Sequence, residues 1–151
     1  IRALSQSLQP VILDEQGLAA AAQWYVAVFE RQTGIAVDYE GPAEDAPQIG
    51  SSTAIHVFRI LQEALTNVAR HARVNHATVR LAISGADLRL EVTDAGGGIP
   101  VSYKAGIGLA GMRERAALIG GSLDIGSGNP GGTRVVLSAP VPPMSGGQEN
   151  G

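Results

Sequence analysis

The chain changes its periodicity once, near residue 75, and that change limits its architecture more than any other feature. Before it, apolar residues recur at helical spacing. Leu18, Ala22, Tyr25 and Phe29 form one stripe, and Phe58, Leu61, Leu65, Val68 and Ala72 form another. After it come β-branched, alternating runs at 78–84 and 88–93, joined at Gly85-Ala86-Asp87 as a hairpin. Two more runs, about 122–126 and 133–139, flank the turn Gly128-Asn129-Pro130-Gly131, and a helix of roughly 109–119 precedes them. Helices, then a hairpin, a helix and another hairpin predict an α+β fold. The expected form is a two-layer sandwich with a mixed, mostly antiparallel sheet and helices on one face.

Local signals set the expected boundaries. Asp14 is a candidate N-cap for the first full helix, and Gly34 stands where a helix C-terminus favours glycine. A short strand is expected over Ile35 to Tyr39, followed by a loop at 41–50, and Ser51 or Ser52 is expected to cap the longest helix, reaching about Arg73. Ile1, Leu4 and Leu8 keep helical spacing until Pro10, so 1–10 reads as the end of a preceding helix. The domain proper is then 11–139, and 140–151, rich in Pro, Gly and Ser, reads as a disordered tail.

With 151 residues, 44% of them hydrophobic, the chain is one domain with enough apolar material for a real core. It has no cysteine, which removes disulfides and thiolate metal sites. A net charge of −3 without a basic block points away from nucleic acid. No apolar run approaches the roughly 20 residues that span a bilayer, so no membrane contact by this domain and a cytoplasmic location are expected.

Three stretches can carry chemistry. On the long helix, Glu63, Asn67 and His71 are spaced i, i+4, i+8, with Arg70 beside them, on the side away from the apolar stripe. A carboxylate, an amide, a guanidinium and an imidazole in a row can hold a divalent cation and the phosphates it bridges. A solvated helix face is the plainer alternative, although a mid-helix asparagine fits solvent poorly. The second stretch, Asp94-Ala95-Gly96-Gly97-Gly98-Ile99, ends a strand. Its carboxylate can accept from an exocyclic amine, its glycines admit a flat ring, and Ile99 can pack on the ring face; a flexible turn capped by an acid is the alternative. The third, Gly106-Ile107-Gly108-Leu109-Ala110-Gly111, opens a helix and offers amides to phosphate. Commoner nucleotide folds do not fit it. No buried strand precedes it as in a dinucleotide fold, and Lys104, the only lysine, lies upstream and is followed by alanine, which excludes a protein-kinase loop and a Walker loop.

Taken in order, QEALTNVARHA (62–72), DAGGGIP (94–100), GIGLAGMRERA (106–116) and GGT (131–133) resemble the N, G1 and G2 boxes and the last motif of the Bergerat, or GHKL, ATP-binding fold. That fold is shared by histidine kinases, type II topoisomerases, the Hsp90 chaperones and the MutL repair proteins. The first and third stretches look most like sensor kinases that partner LuxR/NarL-type response regulators. The resemblance implies ATP and Mg²⁺ as cofactors. Asp94 would bind the adenine amine, with Thr133 helping through a water; Gly96, Gly98 and Ile99 would line the ring. Asn67 would coordinate Mg²⁺ and Glu63 would orient the metal shell as the catalytic residue. Arg70, His71 and Lys104 would lie near the phosphates, under a lid shaped by Gly106, Ile107, Gly108 and Leu109. Ala95 and Gly97 depart from the commonest G1 form without touching Asp94, Gly96 or Gly98. The implied partners are a phosphotransfer domain, of which 1–10 would be the last helix, and a response regulator, within a homodimeric and sometimes membrane-anchored full-length protein. An anti-sigma-type serine kinase regulator or a GHKL ATPase is the alternative.

Phosphoaccepting histidines in such kinases are followed closely by an acid that acts as base. His56, His71 and His76 are followed by Val57, Ala72 and Ala77, so none has that context, and His56 reads as a structural residue. Incubation of the chain with γ-labelled ATP should therefore leave no acid-labile label on it. Label at any of these three histidines would overturn that expectation.

Overall fold

The computed structural model describes residues 11–72, 75–94, 107–127 and 132–142. Helices α1 (Val11–Gln16) and α2 (Leu18–Thr33) meet at Gly17, whose φ of 93° lies in the region that favours glycine. Asp14 is thus inside α1 and caps nothing; the chain turns at Gly17 instead. Gly34 closes α2 as expected, in the left-handed conformation, with its amide donating to Glu30 O at 2.9 Å. β1 (Ala36–Glu40) follows, tied back to α2 where the Val37 amide donates to Glu30 Oε2 at 2.8 Å.

Helix α3 (Ser51–Asn67) begins without a side-chain cap, so the expected serine cap gives way to Gly50 in that place. It continues as a π-helical turn, Val68–Ala72, rather than as α-helix to residue 73. β2 (His76–Ser84) and β3 (Asp87–Asp94) form the expected hairpin, tightened to Gly85-Ala86, with Gly85 at φ 56°. α4 (Ile107–Leu118) leads through Gly120 and Gly121 into β4 (Ser122–Ser127). Gly121 is required there, because a Cβ would stand 2.5 Å from Ser138 O. β5 (Thr133–Pro140) completes the sheet. Where the sequence pattern closes the domain at 139, Val141 is 6% exposed and its amide donates to Ala86 O at 2.6 Å. The folded unit therefore includes these two further residues.

The sheet order is β1-β2-β3-β5-β4, with β1 and β2 parallel and all other neighbours antiparallel. This is the expected α+β two-layer arrangement. The inward face, with Val37, Val79, Leu81, Leu88, Leu90, Val92, Val135 and Leu137, packs with Phe29 of α2, Phe58, Leu61 and Leu65 of α3, and Leu109 and Met112 of α4 into one core. The outward face is laced by ion pairs across strands: Asp38–His76 at 3.0 Å, Glu40–Arg80 at 3.5 Å and Glu91–Arg134 at 2.6 Å. The bond from Arg134 holds the Glu91 carboxyl below its usual range against the opposing effect of burial.

The seam between α3 and α4 holds one polar link, Arg115 Nη1 to His56 Nδ1 at 3.2 Å. The imidazole accepts there, so it must be neutral, and its pKa is lowered first by burial and then by the Arg115 charge. A histidine whose folded pKa lies below its unfolded value takes up its proton first in the unfolded chain. Stability should therefore fall as pH drops through the ordinary histidine range, and His56→Asn should flatten that slope while leaving the steeper loss below pH 4.5 attached to Glu91. Urea unfolding between pH 7.5 and 4 checks both windows. Phe58, fully buried in the core, should cost about 3–5 kcal/mol on Phe58→Ala in the same assay.

Candidate nucleotide-binding site

The two layers can be oriented end to end. Ile49, just ahead of α3, shares a groove with Ile83 near the β2–β3 turn, so α3 starts at that end of the sheet. Seventeen residues of α-helix advance roughly 25 Å and eight of antiparallel strand roughly 27 Å. Asn67, the last residue of α3, therefore arrives near the opposite end, where Ala77 pairs with Asp94. Thr93 pairs with Arg134, so Thr133 stands next to Asp94 across β3 and β5. α4 runs back toward β4, whose Ser122 pairs with Ser138 at the far end. Its N-terminus at Ile107 therefore also lies at the Asp94 end.

Burial singles out this end. Among the described residues five polar side chains are buried: Thr53, Gln62, Asn67, Asp94 and Thr133. Asp94 and Thr133 occupy inward positions, in register with Leu90 and Val92 on β3 and with Val135 and Leu137 on β5. Three of the five, Asn67 at 5%, Asp94 at 8% and Thr133 at 7% exposure, thus terminate the same interlayer core. Desolvating an amide, a carboxylate and a hydroxyl is costly, and a fold that needed only stability would place apolar side chains there. Buried hydrogen-bonding groups at the rim of an apolar core make a ligand site for a flat, amine-bearing ring.

The helix row is resolved differently from the sequence pattern. Asn67 does not lie on a solvated face; α3 is buried nearly all round in its second half, with Ile60, Leu61, Gln62, Ala64, Leu65 and Asn67 all inside. Glu63 is half-buried one turn earlier. The switch to π geometry after Asn67 changes the helical phase, so the row from Glu63 to Asn67 does not extend in step to residue 71. Arg70 is exposed in that turn, and the side chain of His71 lies outside the described residues. Single π turns recur at functional sites, and this one directly follows the site asparagine.

At α4 the expected anion site keeps its backbone basis: the helix begins at Ile107, and Gly108 lies in its first turn. Leu109 is 1% exposed and belongs to the core, so it offers a ligand only its backbone. Gly96, Gly98, Ile99, Lys104 and Gly106 lie outside the described residues. The sequence pattern alone passed over Gln62, which accepts from Arg59 Nη1 at 2.8 Å, and Arg113, whose Nη1 donates to Leu123 O at 2.9 Å and fixes α4 to β4. Both sit within the recognised stretches, but their partners are not legible there.

Comparison with known proteins decides the family. The family of histidine kinase-, DNA gyrase B- and HSP90-like ATPases matches residues 52–143. This chain belongs to that ATPase family. The family contains the described site residues Glu63, Asn67, Asp94 and Thr133 within its matched span, and ATP is its nucleotide. Similar proteins include the sensor histidine kinase LiaS of Bacillus subtilis, 35% identical over 150 residues, covering 98% of this chain and 41% of LiaS. The oxygen sensor histidine kinase NreB of Staphylococcus carnosus is 36% identical over 144 residues, covering 93% of this chain and 41% of NreB. The chain thus spans about two fifths of the length of these relatives. Among solved structures, the histidine kinase domain of the blue-light activated histidine kinase of Erythrobacter litoralis superposes with a TM-score of 0.68 at 26% identity, over 82% of this chain and 61% of that one. The mycobacterial sensor histidine kinase MprB shares the fold, with a TM-score of 0.62 at 22% identity over 83% of this chain and 96% of that one.

The site fits a magnesium ion by its donor chemistry. Among the described residues no group of three or more His, Cys, Asp or Glu could hold a metal. Magnesium typically takes one or two protein oxygens and fills its octahedron with water and substrate phosphates, which a single buried amide oxygen can serve.

Proposed function

We propose that this chain is the ATP-binding catalytic domain of a sensor histidine kinase, which binds Mg-ATP and gives the γ-phosphoryl group to a histidine on a separate phosphotransfer domain. The observation that carries the reading is the buried polar end of the core, Asn67, Asp94 and Thr133, beside the N-terminus of α4. Similarity to sensor histidine kinases narrows the ATPase family to this activity.

Asp94 accepts from the adenine amine and Thr133 supports the ring through a water. Gly96 and Gly98 admit the ring and Ile99 covers it. Asn67 holds Mg²⁺, with Glu63 orienting the surrounding shell, while Arg70, His71 and Lys104 face the phosphates. Backbone amides from Gly106 through Ile107, Gly108 and Leu109 receive the phosphate oxygens. Mg²⁺ supplies charge neutralisation on the moving phosphoryl group. The acceptor imidazole nitrogen attacks the γ-phosphorus in line, the bond to the β–γ bridging oxygen breaks, and that oxygen leaves with ADP carrying the electron pair. The chain's own residues position and neutralise; they form no covalent bond to phosphate. The partners are the phosphotransfer domain, with 1–10 as its last helix, and a response regulator of LuxR/NarL type. The full-length protein works as a homodimer at the cytoplasmic side, and nucleic acid is not a partner.

Calorimetry should find ATP preferred over GTP by at least about tenfold, since guanine sets a carbonyl against Asp94 and a buried acceptor facing an acceptor costs about 1–3 kcal/mol or more. Asp94→Asn should largely abolish binding. Equal affinity for the two nucleotides would refute the role of Asp94. A histidine-bearing helical fragment supplied in trans should become labelled from γ-labelled ATP, and Asn67→Ala should remove that transfer. Tight binding with no transfer to any such fragment would make the chain a regulator of the anti-sigma type and overturn the kinase reading.

A further inference from the structure

One buried polar atom in the helical layer has no role in the site so far. Tyr25, on α2, is 2% exposed, and its hydroxyl oxygen is fully buried without a hydrogen bond. The ring is held rigidly: it packs edge-on against Phe58 of α3, with centroids 5.8 Å apart at 76°. Its hydroxyl is therefore aimed by the core and cannot swing out to water. An unsatisfied buried hydroxyl costs about 1–3 kcal/mol, so phenylalanine would serve the core better at this position. Such a group invites a functional explanation.

Two side chains of α3 act on that hydroxyl. Thr66 opposes the effect of burial, and the Glu63 carboxylate adds to it; together with burial, the dominant cause, they leave the phenol pushed up to about 12. At neutral pH it is a proton donor. Thr66 has already given its hydrogen to Gln62 O at 2.8 Å, so it competes only as a neutral acceptor. Glu63 is half-buried, can change rotamer, and as a charged acceptor forms a hydrogen bond roughly twice as strong as a neutral one. We propose that Tyr25 is a positioning residue for Glu63: its hydroxyl donates to the Glu63 carboxylate and holds it in the orientation that supports the cation on Asn67. The donor comes from a different helix, so α2 packing fixes the carboxylate independently of the α3 backbone. This inference rests on the proposed ATP site, because Glu63 has nothing to orient without it.

The test is calorimetric, on the 151-residue chain, with ATP in the presence of Mg²⁺ and with ATP in EDTA. Tyr25→Phe keeps the ring and removes only the oxygen. It should leave ATP affinity in EDTA unchanged, reduce the gain from Mg²⁺ by about threefold to tenfold, and leave thermal stability equal or higher. In a Glu63→Gln background, Tyr25→Phe should add nothing further. The proposal is overturned if Tyr25→Phe leaves the Mg²⁺ gain intact, if its effect persists in the Glu63→Gln background, or if Thr66→Val reproduces the whole effect and so identifies Thr66 as the acceptor. Failure of the wild-type chain to bind ATP in either buffer would instead refute the ATP site itself, and the two failures are told apart in the first titration.

Discussion

Everything in this domain hangs on the burial of α3 between the sheet and the other helices. Phe58, Ile60, Leu61 and Leu65 are fully enclosed there, and each would cost several kcal/mol to truncate. A helix surrounded on most sides cannot shed its polar residues into solvent. Gln62 and Asn67 are therefore buried with the apolar ones, and each must answer to a specific partner or ligand. Fixing the helix by its apolar residues fixes the site residues as well, since Glu63 and Asn67 lie on the same rigid rod. The core is the reference frame of the chemistry.

The sequence made the order of elements legible because each depends on near neighbours. Alternation in 78–84 and 88–93, the turn at Gly85, and Gly34 after a helical stripe are all local signals, and the strands and C-cap lie where they indicate. What escaped is what local rules cannot settle. Asp14 and Ser51 have the chemistry of caps, but Gly17 and Gly50 take those places because packing decides where the chain turns. The π turn after Asn67 leaves no trace in the spacing of Val68 and Ala72.

The same limit applied to the site. Helical periodicity assigns polar residues to the outside, so Glu63 and Asn67 looked like a solvated row opposite the stripe. Only the third layer of contacts, from α2 and α4, closes over that side. Asp94 was legible as an acid at the end of a strand, but its register beside Thr133 depends on pairing between residues nearly forty positions apart. The link from Arg115 to His56 joins residues 59 positions apart and leaves no mark at either place.

Helix direction supplies the last element of the arrangement. α3 ends at Asn67, so its terminal carbonyls and the negative end of its dipole face the place where the proposed cation would lie. α4 begins at Ile107 at the same end of the layers and brings the positive end of its dipole and unsatisfied amides. A metal–polyphosphate ligand carries the complementary pattern, cation on one side and anionic oxygens on the other. Reversing either helix would set like against like at the site. The antiparallel course of α3 and α4 is therefore part of the recognition: it follows from the hairpin between them taking the chain out along β2 and back along β3 to the end it left.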